Sequence, residues 1–163
     1  MIKFYTDGSY RKSEDKGGFG VVGLHGQDIV YIHQEQKNNV TNNQMELMGI
    51  IHACKVADER YPQEEVIIYS DSAYCVNAIN EWMYNWSKNG WINSKHEPVK
   101  NLDLMQQLYK IFMQNFYHCA VMKVKGHDGV PENELADALA IHDANKFIKV
   151  IQENNFNLVE EYL

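Results

Sequence analysis

Ile2-Lys3-Phe4-Tyr5-Thr6-Asp7-Gly8-Ser9 opens the chain and decides how the remainder is read. Apolar and polar residues alternate from Ile2 to Thr6, the pattern of a strand with one face on a core, and the strand is expected to end at Asp7. Gly8-Ser9 and the polar run to Gly17-Gly18 predict a turn or loop. Phe19 to Leu24 and Ile29 to Gln34 read as two further strands joined at Gly26-Gln27-Asp28, which makes a meander. A helix capped by Thr41 or Asn42 follows, with Met45, Met48, Ile51 and Val56 as its apolar stripe, and Pro62 closes it. Val66-Ile67-Ile68-Tyr69 is the continuous apolar run of a strand covered on both faces, and Asp71-Ser72 then opens another helix.

Further along, Leu104, Leu108 and Phe112 predict a helix over 101–115, and Ala120 to Val124 a last strand. Pro131, at a first helical position, starts the helix that carries Ala136 to Ala144. The expected fold is α/β: a five-stranded mixed sheet, three antiparallel strands plus two parallel ones, flanked by helices. Residues 1–145 make one domain, and Val150, Ile151, Phe156 and Leu158 predict that the 146–163 tail docks on it.

The 163 residues suffice for one core, and no apolar stretch is long enough to span a bilayer. Met1 to Asp7 lacks a signal-peptide layout, and the start and length suit a free-standing protein. Cys54, Cys75 and Cys119 stand apart, with neither zinc nor disulfide spacing, so a cytoplasmic location is expected. The net charge of −7 opposes nucleic acid, yet residues 82–126 carry +4 and leave −11 elsewhere. A basic zone on an acidic body can hold a phosphate backbone, although an ordinary lysine scatter reads the same way.

Four carboxylates stand out. Asp7 and Asp71 fall at the carboxyl ends of strands, where open α/β sheets gather their ligands. Glu46 is expected on the first turn of its helix, and Asp137 sits in Leu135-Ala136-Asp137-Ala138-Leu139-Ala140. Each has a purely structural reading. Asp before Gly-Ser suits a turn, Glu in a first turn favours the helix dipole, and Asp71 could cap a helix. His127 could be a simple loop histidine.

Their joint context favours a shared site. Thr6-Asp7-Gly8-Ser9, Asn42-Asn43-Gln44-Met45-Glu46-Leu47, Ser70-Asp71-Ser72 and Lys125-Gly126-His127, followed ten positions on by Asp137, resemble type 1 ribonuclease H in order and spacing. The segment from Trp82 to Leu108, with Gly90-Trp91 and Pro98-Val99-Lys100-Asn101, is similar to the tryptophan-bearing protrusion of bacterial members. The resemblance covers residues 2–144.

That resemblance implies a ribonuclease H-like fold and hydrolysis of the RNA strand of RNA–DNA hybrids, giving 5′-phosphate and 3′-hydroxyl ends. Asp7, Glu46, Asp71 and Asp137 would hold two Mg²⁺ ions, with Mn²⁺ as a substitute, and Asp7 would bridge them. His127 would assist proton transfer or product departure. Gly8, Ser9, Asn42 and Glu46 would meet the RNA strand through its 2′-hydroxyl. Thr41 and Asn101 would grip a DNA phosphate, and Tyr74, Trp82 and Trp86 would pack on deoxyribose. For the tryptophans, core packing of a small helical hairpin is the rival reading, strongest for Trp91. A monomer is expected. The alternatives are a DNA-cutting nuclease of the same fold and a hybrid-binding module without chemistry.

Departures from the family pattern touch secondary features. Arg11-Lys12-Ser13-Glu14-Asp15-Lys16 replaces a neutral loop, and Ala73 stands where a polar residue is common. Ser87, Asn89 and Ile92 occupy protrusion positions that are often basic, so hybrid binding should be weaker and less salt-dependent than with a fully basic protrusion.

Overall fold

The computed structural model describes residues 1–114, 118–124 and 129–159. Six strands form one sheet in the order β5-β4-β1-β2-β3-β6. The meander is β1 (Ile2–Arg11), β2 (Lys16–His25) and β3 (Asp28–Asn38), with antiparallel pairing throughout. On the other side of β1, β4 (Val66–Ser70) and β5 (Cys119–Lys123) run parallel to it. The sixth strand, β6 (Asn157–Leu158), lies parallel to β3, so the sheet exceeds the expected five strands. A two-residue strand carries no alternation by which to recognise it.

β1 also runs past Asp7. Its pairing with β2 continues through Gly8↔Phe19 and Ser9↔Gly18 to Arg11↔Lys16, whereas its pairing with β4 stops at Tyr5↔Tyr69. Asp7 is therefore inside a strand, two residues beyond the last partner on β4. The expected turn at Gly8-Ser9 shrinks to a 3-10 turn at Lys12–Glu14.

Alternation along β1 sends Ile2 and Phe4 to one face and Tyr5 to the other. The first face is covered by α1 (Asn42–Arg60), α2 (Ala73–Asn77), α3 (Met83–Asn89) and α4 (Leu102–Gln114). Phe4, Val21, Leu47, Ile50, Ile68, Met105 and Leu108 fill the core there, each at most 1% exposed. Fully burying one such side chain stabilises the fold by roughly 1.5–3 kcal/mol. The second face is covered by α5 (Pro131–Ala140) and α6 (Ala144–Asn154), through Leu135, Ala136, Leu139 and Val150, with Phe156 just past α6. The helix expected to reach Ala144 ends at Ala140, and Asp143 caps a new helix by accepting from the Lys146 N–H.

Candidate active site

The acidic residues meet where β1 outruns β4. α1 begins at a capping box: the Thr41 hydroxyl accepts from Gln44 N–H at 3.1 Å, and the Gln44 side chain accepts from Thr41 N–H at 2.9 Å. Glu46 lies just past the first turn rather than in it, so the helix dipole does not account for this residue, which is 3% exposed. Gly8 allows α1 to approach. A Cβ there would stand 2.4 Å from the Glu46 backbone nitrogen, which no side chain tolerates. The Gly8 N–H then donates both to Asp7 Oδ1 and to Glu46 Oε1, each at 2.9 Å.

Asp71 follows the last residue of β4 and is exposed. Its helix is capped by Ser72, whose hydroxyl accepts from Cys75 N–H at 3.2 Å, so Asp71 has no capping duty. One oxygen each from Asp7, Glu46 and Asp71 lies within 4.8 Å of the others. Ser70 supports the cluster by donating to Glu46 Oε2 at 3.5 Å.

Asp137 arrives from the opposite face on α5, because Gly20 on β2, the register partner of Asp7, lets that helix close on the sheet. A Cβ on Gly20 would lie 2.4 Å from Leu139 Cβ and 2.7 Å from Ala136 O. The Asp137 carboxylate adjoins Asp7 but stands outside the group of three within 4.8 Å, and it is also engaged elsewhere: Lys146 Nζ lies 2.5 Å from Asp137 Oδ2 and 2.8 Å from Glu134 Oε2. Lys146, Glu134 and Gly20 were not singled out from the sequence, and Gly8 was singled out as a contact to the RNA strand, not for letting α1 approach. A lysine on the helix after its partner's leaves no local signal.

Burial pushes the Asp7 carboxyl from 3.8 up to about 10, aided by the charges of Glu46 and Asp71. Burial also raises Glu46, to about 7, although hydrogen bonds from Asp7 and Gly8 oppose the rise. Without a cation the two share a proton. All the clustered donors are carboxylate oxygens, which suits a hard divalent ion and not a thiophilic one.

The expected strand-contact residues divide around this centre. Ser9 is half-buried and its hydroxyl donates to the Ala140 carbonyl at 3.3 Å, while Asn42 is exposed on the first turn of α1. Tyr74, Trp82, Trp86 and Asn101 form one half-buried aromatic group. The ring centroids of Tyr74 and Trp82, and of Trp82 and Trp86, are 6.0 Å apart, and Asn101 Nδ2 donates to the Tyr74 hydroxyl at 3.2 Å. A π-helical turn over Ala78–Trp82 joins α2 to α3 and sets this register. Trp91 packs edge-on against Tyr109 at 5.5 Å instead. His127 lies outside the described residues.

A mixed sheet that gathers acidic side chains beside its central strand defines a class of metal-dependent nucleases. The RNase H sequence profile matches residues 1–145. The chain belongs to the RNase H family, whose members are hydrolases. It is 40% identical over 139 residues to the ribonuclease H of Hahella chejuensis, covering 85% of this chain and 90% of that one. The ribonuclease H of Syntrophomonas wolfei is 41% identical over 144 residues, covering 85% and 92%. A type 1 RNase H with the type 2 active-site motif superimposes with a TM-score of 0.75 at 24% identity, over 97% of this chain and 86% of that one. The foamy viral protease–reverse transcriptase, solved in complex with an RNA/DNA hybrid, gives a TM-score of 0.77 at 25% identity over 86% of this chain and 19% of that one. Among the described residues no helix is long and apolar enough to cross a membrane.

Proposed function

We propose that this chain hydrolyses the RNA strand of RNA–DNA hybrids with two divalent ions, Mg²⁺ by preference, leaving 5′-phosphate and 3′-hydroxyl ends. The observation that carries the reading is the convergence of Asp7, Glu46 and Asp71 around the Gly8 N–H, with Asp137 beside Asp7. When bound, such ions polarise the scissile phosphate and stabilise the charge that develops on the attacking and departing oxygens. Asp7, Glu46, Asp71 and Asp137 would hold the ions, with Asp7, on the central strand, as the ligand common to both. The Gly8 N–H keeps Asp7 and Glu46 aimed at the same point, so neither has to reorganise as the reaction proceeds. His127 takes up or returns a proton as product leaves.

Strand choice follows from the surroundings of the carboxylates. Gly8, Ser9, Asn42 and Glu46 meet the 2′-hydroxyl of the RNA strand, the group DNA lacks. Thr41 and Asn101 hold a DNA phosphate, and the Tyr74-Trp82-Trp86 cluster offers flat faces to deoxyribose. Exposed Lys88 and Lys100, which lie close in the chain to Trp86 and Asn101, add positive charge. Residues 1–145 form the catalytic unit, and the segment from 146 is an addition that packs on it. The enzyme acts as a monomer, and its free, buried Cys54, Cys75 and Cys119 suit a reducing cytoplasm. Matched hybrid, RNA duplex and DNA duplex, each incubated with Mg²⁺ and with chelator, test the reading. Cleavage confined to the hybrid's RNA strand and abolished by chelator is expected; equal cleavage of duplex DNA, or cleavage in chelator, overturns it.

A further inference from the structure

A second group of metal-ligating side chains lies away from the carboxylates. Tyr31, His33 and Glu35 alternate along β3 on the face turned toward α1, and His52 descends from α1 to meet them. A ring nitrogen of each histidine and a Glu35 oxygen lie within 4.8 Å of one another. The two imidazoles stack with centroids 3.8 Å apart and planes 12° from parallel. His33 Nε2 is 3.0 Å from Glu35 Oε1, while Lys37 Nζ lies 3.9 Å from the other carboxylate oxygen, Oε2. His52 Nε2 is 2.6 Å from the Tyr31 hydroxyl. All three side chains are half-buried, and Glu35 and His52 also border a cavity of about 210 Å³ lined by Phe19, Met48, Lys55 and Leu104.

We propose that His33, Glu35 and His52 form a binding site for one divalent transition-metal ion, with zinc the first choice. Two imidazole nitrogens and one carboxylate oxygen are the donors that a four-coordinate zinc site with one open position uses. The same donors select against Mg²⁺, which wants oxygen throughout, so this site and the nuclease centre take different ions. The Tyr31 hydroxyl supplies the outer contact that fixes the orientation of a ligating imidazole. The cavity admits the ion and leaves room for a water as fourth ligand. Each imidazole lone pair lies in its ring plane, so ligation opens the stack by rotating the rings about χ2. The bound ion ties β3 to α1 about 9 Å along the helix from Glu46, six residues at 1.5 Å each.

The test is a zinc titration of the whole protein in excess Mg²⁺, followed by calorimetry and thermal melting, on wild type, His33→Gln, His52→Gln and the double variant. Wild type should bind one more equivalent than the double variant, and its melting temperature should climb with zinc. Each single variant should bind that equivalent at least tenfold more weakly, with hybrid cleavage in Mg²⁺ unchanged. Equal zinc binding by wild type and the double variant overturns the proposal and leaves the stacked histidines as packing alone. Should a variant fail to fold, histidine ring resonances of the wild type decide the matter. Two histidines shifting together with one equivalent of zinc support the site, and any other pattern overturns it.

Discussion

Replacing Asp7 by Asn should make the metal-free protein more stable while ending its activity. The carboxyl is 6% exposed and sits beside Glu46 and Asp71, and its folded value of about 10 far exceeds the ordinary 3.8. At pH 7 the unfolded chain has lost this proton and the folded chain must take it up. Between 3.8 and 7 that costs about 1.4 kcal/mol per pH unit, or roughly 4 kcal/mol in all. Water entry and the proton shared with Glu46 reduce the gain, leaving about 2–4 kcal/mol for the neutral amide, which can still accept from Gly8. The sign follows from linkage. A carboxyl raised on folding contributes stability below pH 3.8, and loses it as pH climbs toward its folded value. The advantage of Asp7→Asn should therefore vanish near pH 3.5 and widen up to pH 7 and beyond. In chelator, urea denaturation should show the gain, and the melting temperature should rise by roughly 5–15 °C. Mg²⁺ should narrow the gap by binding the wild type, and hybrid cleavage by the variant should be undetectable. A variant no more stable than wild type in chelator at pH 7 would refute the electrostatic argument, and cleavage at a normal rate would remove Asp7 from the site.

Gly20→Ala should push α5 off β2, lowering stability by about 1–3 kcal/mol in urea denaturation and cutting cleavage as Asp137 withdraws. Lys146→Ala should lower the half-saturating Mg²⁺ concentration up to about fivefold, since a partly exposed ion pair is worth up to roughly 1 kcal/mol. A higher metal requirement would contradict that competition. His127→Ala should reduce the cleavage rate without abolishing it, and complete inactivity would mean its part is larger. A plot of hybrid affinity against salt should be shallow, because Ser87, Asn89 and Ile92 leave the protrusion few cations; a slope implying many neutralised phosphates would disprove this.

Periodicity marks β1, β2 and β4 as strands, because one or both faces are buried and the pattern is unbroken, but it does not give their order in the sheet. The path of β1 beyond Asp7 is a different matter. Gly8 and Ser9 have loop character taken alone, and only pairing with Phe19 and Gly18 keeps them extended. β6 is too short to show alternation, and its place depends on the Asn157 N–H reaching the Gln27 carbonyl at 2.9 Å, 130 positions away in the chain. The clustered carboxylates were legible through their motifs. The closeness of α1 and α5 to the sheet was not, because it depends on what Gly8 and Gly20 lack. The contacts Lys146–Asp137 and His33–His52 join residues on different elements, and neither leaves a mark on the local pattern.

The short β6 has a bearing on how this molecule behaves in a crowd. β3 is the outer strand of the meander, and an uncovered outer strand is a template on which another chain can add by backbone pairing. Asn157 and Leu158 occupy the start of that template at Asp28 and Ile29, with Phe156 pinned beneath at 6% exposure. The remaining length carries Gln34, Gln36 and Lys37, whose polar side chains discourage a newcomer. Removing residues 156–159 would bare the edge at Asp28 and Ile29, where the apolar run of β3 begins, and self-association at high concentration would be the first symptom, ahead of any loss of catalysis.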